Sequence, residues 1–257
     1  MCQRPKITAI VPTGNEQENI RACLESLTWA DEILVVDSFS KDDTVKIASE
    51  LAHKVLEHEY VNSAAQKNWT IPQAAHPWIL LVDADERVTP ELRDEIQTLL
   101  ESGPTHEAYY IRRLNHFMGR RIRFCGWQND ECIRLFMRDK SKYQDRHVHA
   151  DVIVDGTVGR LKNKLLHYTF RSFDQYMGKF DRYTTWSAQD RAKRTSRVRW
   201  HHLTARPAFR FFKQYVLKQG FRDGLPGLIV CGLAAFSVFL KYAKLWEFQQ
   251  KKKACHE

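Results

Sequence analysis

The chain has 257 residues, of which 43% are hydrophobic and 28% charged. That mixture is typical of a globular protein and excludes wholesale disorder and collagen-like or repeat architectures, and the length fits one large domain or one domain with a tail. The formal net charge of +9 is unevenly distributed along the chain, because residues 191–257 carry +12 and residues 1–190 carry −3. We expect the basic tail either to bind an anionic partner or to be a solvated helix face.

The N-terminus leads directly into five apolar-leaning residues, 7–11, without the longer apolar segment of a secretory signal. The six cysteines show neither a C-x-x-C pair nor regular spacing, which argues against a structural zinc site or a disulfide framework. Both features favour a reducing, cytoplasmic location.

Short apolar runs alternate with helical patterns through residues 7–103. The predicted strands are residues 7–11, 33–36, 55–56 and 78–82. Ser40 with Asp43, and Thr89 with Pro90, have the pattern of helix N-termini. This alternation predicts an α/β fold with a parallel sheet covered by helices on both faces. Ligands of such sheets bind outside the carboxyl ends of the strands.

Polar side chains follow three of these strands, and they are Thr13, Asn15 and Glu16 after the first, Asp37 after the second, and Asp83 and Asp85 after the fourth. The last pair forms a D-x-D motif directly after the most apolar strand. Carboxylates at this edge suit Mg²⁺ or Mn²⁺, which would neutralise a diphosphate. The alternative is an acidic loop that caps the following helix.

After Gly103 the pattern changes to strands without long helices between them. The predicted strands are residues 108–112, 132–137, 148–154 and 165–168, which indicates mixed or antiparallel additions to the sheet. Ser172 with Gln175 predicts the start of a helix. The last third is helical and basic, and residues 224–240 contain no charge.

The motifs in this order resemble the family-2 glycosyltransferases of the GT-A fold. In the first half they are VPTGNEQENI, ILVVDSFSKDDT, QKNW and LLVDADERVTPEL. The later segments ECIRLF, HVHADVIVDG, LLHYTF, GFRDG and KYAKLWE resemble a narrower branch of the family. This branch is the bacterial lipopolysaccharide core glucosyltransferases, which add β-linked glucose to an inner-core heptose. The resemblance extends over residues 7–247.

The resemblance implies a GT-A (Rossmann-like), mostly parallel sheet with flanking helices and a basic, helical C-terminal extension. It implies a catalytic domain at residues 1–170, with a donor half at 1–103 and an acceptor half at 104–170, followed by a membrane-associating region at 171–257. The residues expected to bind the UDP-sugar are Thr13, Asn15, Glu16, Asp37, Lys67 and Asp83. Asp85 is expected to hold the divalent metal, while Gly14 departs from the larger residue usual in the family.

An inverting transfer needs a general base that deprotonates the acceptor hydroxyl. Asp130 and Glu131, directly before a predicted strand, match the acidic position that resembles the family's base. Adjacent residues of an extended chain point in opposite directions, so at most one of them is the base, and we favour Asp130. The alternative for each is a surface salt bridge with Arg134 or Arg138.

Other candidates belong to the acceptor side. His147, His149 and Asp151 alternate on a predicted strand and face one way; they make a metal site or, as we favour, a packed or acceptor-contacting surface. We assign His149 and His167 to the acceptor side. Arg123 and Trp127 lie in a segment rich in arginine and aromatic residues, 113–130, which would bind phosphate and sugar or form a solvated basic loop.

The charge-free stretch 224–240 is shorter than the ~20 apolar residues of a spanning helix. With its flanking lysines it predicts a helix that lies in an anionic leaflet, or alternatively a buried helix. We therefore expect a peripheral enzyme on the cytoplasmic face of the inner membrane, which moves a hexose, first of all glucose, from a UDP-sugar to a lipid-anchored inner-core sugar. The alternative is a polyprenyl-phosphate sugar transferase. We expect no nucleic-acid partner, since no helix-turn-helix, zinc or RNA-binding motif is present.

Overall fold

The structure is a computed structural model that describes residues 4–144, 151–170 and 172–254. The chain divides into two compact units. Unit 1 contains Met1–Leu114 and Asp130–His167, and unit 2 contains Asn115–Asn129 and Tyr168–Glu257. The division after residue 167 lies three residues before the expected boundary at 170, and segment 115–129 groups with the C-terminal unit rather than with the rest of the acceptor half.

Strands and helices follow one another in the expected order. The strands are β1 (Ile7–Thr13), β2 (Glu32–Asp37), β3 (Lys54–Glu57), β4 (Trp78–Leu81), β5 (Glu86–Val88), β6 (Ala108–Phe117), β7 (Arg120–Arg121), β8 (Glu131–Met137), β9 (Ser141–Tyr143), β10 (Val152–Val154) and β11 (Val158–Phe170). The α-helices are α1 (Gln17–Glu25), α2 (Thr44–Leu51), α3 (Ser63–Thr70), α4 (Pro90–Ser102), α5 (Phe173–Ala192), α6 (Trp200–Leu203), α7 (Ala205–Phe212) and α8 (Gly224–Ala254).

The main sheet has the strand order β3-β2-β1-β4-β8-β6-β11-β5, with β7 paired to β6. Strand β1 runs parallel to β2 and β4, and β2 runs parallel to β3. Strand β8 is antiparallel to β4, so its first residues lie at the edge where β1, β2 and β4 end. The predicted parallel core with antiparallel additions is confirmed.

The period of two in the apolar strands places alternate residues on opposite faces of the sheet. Ile7, Ala9 and Val11 of β1 belong to the core cluster that includes buried residues of α1, α2 and α4. Ile10, between them, belongs to the second cluster, which includes Ala64 of α3. Helices therefore cover both faces, as expected.

Local sequence signals were correct at two helix starts and wrong at one. The Thr89 hydroxyl accepts from the Leu92 N–H at 3.2 Å, and the Ser172 hydroxyl accepts from the Gln175 N–H at 3.2 Å. Helix α2 instead begins at Thr44 without a side-chain cap. The Ser40 hydroxyl does not cap α2: it accepts from the Asn15 N–H at 2.7 Å and donates to the Asp37 carboxylate at 2.5 Å.

The acceptor half differs from the expected elements in two places. Strand β6 continues five residues beyond the predicted end at 112, to Phe117, so Arg113 lies on a strand and not in the segment between strands. Of the strand predicted at 148–154, the structure has Val152–Val154; residues 145–150 lie outside the described part of the chain.

Unit 2 is built around the long helix α8. Its two core clusters contain Cys125 with Cys231, and Ala188 with Tyr242. Among the described helices, one segment, Gly220–Lys252, is long and apolar enough to cross a membrane, judged by length and composition alone. In its most apolar window 17% of the residues are buried, and the others are half-buried or exposed.

Candidate active site

The loops after β1 and β2 are tied together by short hydrogen bonds. The Asp37 carboxylate, fully buried, accepts from the Ser40 N–H at 2.7 Å and from its hydroxyl at 2.5 Å. Asn15, in the left-handed conformation with φ 53°, donates its N–H to the Ser40 hydroxyl at 2.7 Å. Its side-chain oxygen accepts from the Lys41 N–H at 2.8 Å. Asp37 and Asn15 therefore hold the loops after β1 and β2 together at this edge of the sheet.

Two further residues expected to bind the donor lie beside these loops. The Glu16 carboxylate accepts from the Asn19 side-chain amide at 2.7 Å. The Thr13 hydroxyl is buried and has no hydrogen-bond partner in the described part of the chain. A buried hydroxyl without a partner is unusual, and it is available to a ligand.

Six side chains form a continuous network of ion pairs at the same edge, called here the ion-pair chain. Its members, in order of contact, are Lys67, Asp83, Arg134, Glu86, Arg113 and Asp130. Lys67 Nζ lies 3.0 Å from Asp83, and Arg134 Nη2 binds both Asp83 and, at 2.6 Å, Glu86. Arg113 joins Glu86, at 3.5 Å, to Asp130, at 2.7 Å.

The topology of the sheet explains why residues so distant in sequence meet. Asp83 follows β4, Arg134 lies on the neighbouring strand β8, and Arg113 lies on β6, the next strand along. The pairing of β6 with β8 sets Arg112 opposite Glu131, so the next residues along, Arg113 and Asp130, meet at the end of this pair of strands. The ion-pair chain therefore crosses adjacent strands at one edge.

The charges in this network set the protonation state of its members. Burial opposes ionisation of Asp83, but the positive charges of Arg134 and Lys67 outweigh it and hold the pKa of Asp83 well below its usual value. Burial likewise lowers the pKa of Lys67, yet the attraction to Asp83 leaves that pKa raised. Asp83 is an ionised carboxylate neutralised by two cations, and Lys67 stays charged.

Asp85 has a different environment from Asp83, although both belong to the D-x-D motif. Asp85 Oδ1 lies 3.7 Å from His167 Nε2, and each side chain is about 15% exposed. No Lys or Arg pairs with Asp85 in the residues that the structure describes. His167, expected on the acceptor side, thus lies against the expected metal ligand.

The residues present can be tested against the metal that the motif implies. The described residues contain no group of three or more His, Cys, Asp and Glu side chains that could hold a metal. Asp85 and His167 offer two donors, which fits an ion that completes its coordination with phosphate oxygens and water, as Mg²⁺ commonly does. Asp83 does not fit as a second carboxylate ligand, because Lys67 and Arg134 already occupy it.

Asp130 and Glu131 point to different surroundings. Glu131 pairs with Arg160 at 3.0 Å and with Arg112 at 3.6 Å, and the hydrogen bond from Arg160 lowers its pKa. Asp130 belongs to the ion-pair chain through Arg113. Both carboxylates form salt bridges, as the alternative expected, but their partners include Arg113, Arg160 and Arg112, while Arg134 pairs with Asp83 and Glu86. Arg138 pairs instead with its neighbour Asp139, at 2.9 Å.

Three members of the ion-pair chain were not recognised as site residues from the sequence, namely Glu86, Arg113 and Arg134. One signal was present, because Arg134 interrupts the apolar run of β8, and a buried charge requires a partner. The sequence does not say which carboxylate that partner is.

The remaining acceptor-side candidates are Arg123, Trp127 and His149. Arg123 and Trp127 belong to unit 2. The Arg123 side chain is exposed and its backbone N–H donates to Asp223 at 3.1 Å, while Trp127 packs against the cluster of Cys125 and Cys231. His149 falls outside the described residues.

Comparison with known proteins identifies the family. The sequence profile of Glycosyl transferase family 2 matches residues 8–150, more than half of the chain. The chain belongs to this family. The matched range contains the whole ion-pair chain and Asp85, and the protein is a glycosyltransferase.

Relatives of this glycosyltransferase cover nearly its full length. An uncharacterized glycosyltransferase of Rickettsia felis is 31% identical over 96% of this chain and 92% of its own. The lipopolysaccharide core biosynthesis glycosyltransferase LpsC of Rhizobium meliloti is 26% identical over 96% of this chain and 94% of its own. This glycosyltransferase therefore has a homologue in lipopolysaccharide core biosynthesis.

A solved structure shares the fold. Staphylococcus aureus TarS, residues 1–349 in complex with UDP, superposes with a TM-score of 0.50 at 14% identity, covering 97% of this chain and 91% of the other. The expected GT-A fold is confirmed.

Proposed function

We propose that this glycosyltransferase transfers a hexose, first of all glucose, from a UDP-sugar to an inner-core sugar of lipopolysaccharide with inversion, giving a β-glycoside. The observation that carries this proposal is the meeting of two carboxylates in different environments at one sheet edge. Asp85 lies beside the imidazole of His167, and Asp130 is the last member of the ion-pair chain, where it pairs with Arg113. The similarity to LpsC supports the acceptor class.

The donor would bind across the ends of β1, β2 and β4. The hydroxyl of Thr13 and the loops held by Asn15, Glu16 and Asp37 would surround the nucleoside. Asp83, ionised but neutralised by Lys67 and Arg134, can accept hydrogen bonds from ribose or sugar hydroxyls without adding net negative charge near a diphosphate.

Asp85 and His167 would hold the divalent metal, Mg²⁺ or Mn²⁺. When bound, the metal neutralises the charge that develops on the departing diphosphate, which is the largest electrostatic demand of the transfer. The chain itself supplies the two ligands at a fixed sheet edge, since His167 is held by the pairing of β11 with β5 and Asp85 directly precedes β5.

Asp130 would act as the general base. The acceptor oxygen attacks the anomeric carbon as the bond from that carbon to the diphosphate breaks, and the hydroxyl proton passes to the Asp130 carboxylate. Arg113 binds Asp130 Oδ1 at 2.7 Å and so fixes its orientation. Glu131 is held by Arg160 and Arg112 and is the weaker candidate.

One observation favours the alternative, a polyprenyl-phosphate sugar transferase. A helix among those described is long and apolar enough to cross a membrane, as an enzyme acting on a membrane-embedded phosphate could require. A phosphate acceptor needs no base, so in that case Asp130 would not be essential.

The decisive experiment is a donor screen with purified enzyme and two acceptors, core oligosaccharide and a polyprenyl phosphate. We expect UDP-glucose to give a core product heavier by one hexose, with a β-linkage by NMR. Product on the polyprenyl phosphate alone would establish the alternative. A core product with a retained α-linkage would contradict the proposed inversion.

We also propose that unit 2 attaches the enzyme to the cytoplasmic face of the membrane without crossing it. The support is an exposed apolar surface on α7 and α8 in a segment of high positive charge. Apolar area and basic charge together give firm peripheral binding, whereas either alone gives little.

A further inference from the structure

Four cations of unit 2 lie on α5 and α7, which both pack against α8, and on α8 itself, and we call them the cation cluster. They are Arg191 at the end of α5, Arg206 and Arg210 on α7, and Lys241 on α8. In the described part of the chain, no carboxylate lies within the 4.0 Å ion-pair distance of any of them.

The acidic side chains that could have balanced these charges are engaged elsewhere. The four pairs concerned are Asp181 with Lys244 at 2.7 Å, Asp190 with Lys193 at 3.9 Å, Glu247 with Lys251 at 2.6 Å, and Asp223 with the backbone N–H of Phe124 at 2.8 Å. Mutual repulsion in the cation cluster is therefore uncompensated by the carboxylates that the structure describes.

The geometry of the cluster is set by the buried ring of Tyr242. Arg206 Nη1 donates to the Tyr242 hydroxyl at 2.6 Å, and its guanidinium carbon lies 5.4 Å from the ring centre. Lys241 Nζ lies 5.0 Å from the same ring, and the imidazole of His202 stacks on it at 4.8 Å. Two cations thus share one aromatic ring, which stabilises them only partly.

Two further observations indicate that the cluster lacks an anion. The Arg191 Nε–H is buried without a hydrogen-bond partner among the described residues, a condition that calls for a water or an ion. Burial lowers the pKa of Lys241, the adjacent Tyr242 opposes this, and the charges of Arg191, Arg206 and Arg210 lower the pKa further.

A cavity of about 210 Å³ adjoins the cluster, and Lys241 is part of its lining. Four aromatic side chains form most of the wall, namely Phe170, Tyr176, Phe180 and Tyr183, and three hydroxyls complete it, those of Thr184, Ser187 and Ser237. Ser187 lies one helical turn before Arg191, so the cations are at one end of an apolar cavity.

We propose that the cation cluster and this cavity form a binding site for a phosphorylated lipid, with the phosphate held by Arg191, Arg206, Arg210 and Lys241 and the start of the apolar chain in the cavity. Arginine binds phosphate through paired N–H donors, and the aromatic wall excludes water from methylene groups. The site uses no residue of the proposed transfer chemistry, so it can fail or succeed independently of the proposed function.

The test measures calorimetric binding of a short-chain phosphatidic acid, kept below its micelle concentration, to the full-length protein. We expect Arg191→Gln with Lys241→Gln to weaken binding by about tenfold or more, because two charge-assisted contacts are lost. The matched control, Lys46→Gln with Lys54→Gln, removes the same charge from exposed positions of unit 1 and should change the affinity less than about twofold. Equal weakening by both double variants, or by neither, would overturn the site.

Folding and ligand source need their own readouts. The double variant should unfold at the same temperature as the wild type or higher without ligand, because repulsion is removed, while losing the stabilisation that phosphatidic acid gives the wild type. Ser187→Phe or Ser237→Phe should fill the cavity and weaken phosphatidic acid but not inorganic phosphate. Inorganic phosphate that binds as tightly as the lipid would contradict a lipid site.

Discussion

At the scale of single residues, the two carboxylates of the D-x-D motif have different environments. Asp83 is neutralised by Lys67 and Arg134 and cannot easily give its oxygens to a metal. Asp85 lies beside His167 and lacks a Lys or Arg partner within the described chain. The difference comes from the neighbouring elements. Lys67 on α3 and Arg134 on β8 both reach Asp83.

The first prediction concerns Asp85. Asp85→Ala should abolish transfer with the fold intact, because it removes the carboxylate ligand of the metal. Chelation of the wild type with EDTA should give the same loss, and added Mn²⁺ or Mg²⁺ should rescue only the wild type. Asp139→Ala, which removes a 74% exposed carboxylate, is the matched control. Full wild-type activity in EDTA would refute the metal assignment.

The second prediction separates Asp130 from Glu131. Asp130→Asn should lower kcat by about 10²-fold or more with little change in donor KM, which is the usual size of general base catalysis. Glu131→Gln should lower kcat less than about threefold, since this carboxylate binds surface arginines. Steady-state kinetics of the two variants decide which residue is the general base. If Glu131→Gln is inactive and Asp130→Asn is normal, the base is Glu131 and not Asp130.

At the scale of elements, β8 combines core packing with site chemistry. Its residues Ile133, Leu135 and Phe136 are buried apolar side chains, whereas Arg134 is a buried cation on the site side. The strand can carry that charge only because β4 and β5 bring Asp83 and Glu86 to it.

The third prediction follows from that arrangement. Arg134→Met should lower the free energy of unfolding at pH 7 by about 3 kcal/mol, because two carboxylates lose their buried partner. Asp83 has a lowered pKa in the folded state, so its contribution is present above the unfolded pKa of about 3.9 and is lost as the pH falls further. In urea titrations the difference between variant and wild type should therefore shrink below about pH 4. A difference that does not depend on pH would contradict the ion-pair explanation.

The fourth prediction concerns the start of α8, where Gly227 packs against the preceding turn. A Cβ at residue 227 would lie 2.1 Å from the Gly220 carbonyl oxygen, and the backbone would have to move to relieve this clash. Gly227→Ala should therefore destabilise the protein by about 1–3 kcal/mol. Gly232→Ala on the same helix meets nothing within 4 Å and should stabilise it by up to about 1 kcal/mol. Thermal unfolding compares the two, and equal effects would refute the close packing.

At the scale of the whole molecule, charge and apolar surface are both concentrated in the C-terminal unit. Residues 191–257 hold a net charge of +12. The large apolar side chains exposed on the same region are Trp200, Phe209, Phe212, Val216, Leu217, Phe221, Leu225, Leu228, Ile229, Phe236, Phe239 and Trp246. Such a surface is too extensive for an ordinary solvated face and fits contact with an anionic bilayer.

The fifth prediction tests that contact by vesicle sedimentation. Lys251→Glu with Lys252→Glu, or high salt, should weaken binding to anionic vesicles, by near 1 kcal/mol for each basic charge removed. Phe209→Asp with Leu225→Asp should release the protein more completely, because both side chains are over 60% exposed and their apolar area is lost. If the wild type fails to sediment with anionic vesicles, the exposed surface has another partner.

Local pattern alone predicted much of the fold. Short apolar runs identified β1, β2 and β4, and the Thr89 and Ser172 caps identified two helix starts, because these signals depend on neighbours within a few residues. The capping role expected of Ser40 was wrong, since its hydroxyl bonds instead to the Asn15 N–H and to the Asp37 carboxylate.

By itself, the sequence determined the family, the parallel donor half and the sheet edge where the polar strand ends meet. Only the tertiary structure decided which carboxylate has which environment, because the deciding pairs join residues far apart in the chain. Arg134 reaches Asp83 across 51 positions, and Arg113 reaches Asp130 across 17. A buried charge must find a partner somewhere, and which partner it finds is set by strand order and register rather than by local pattern.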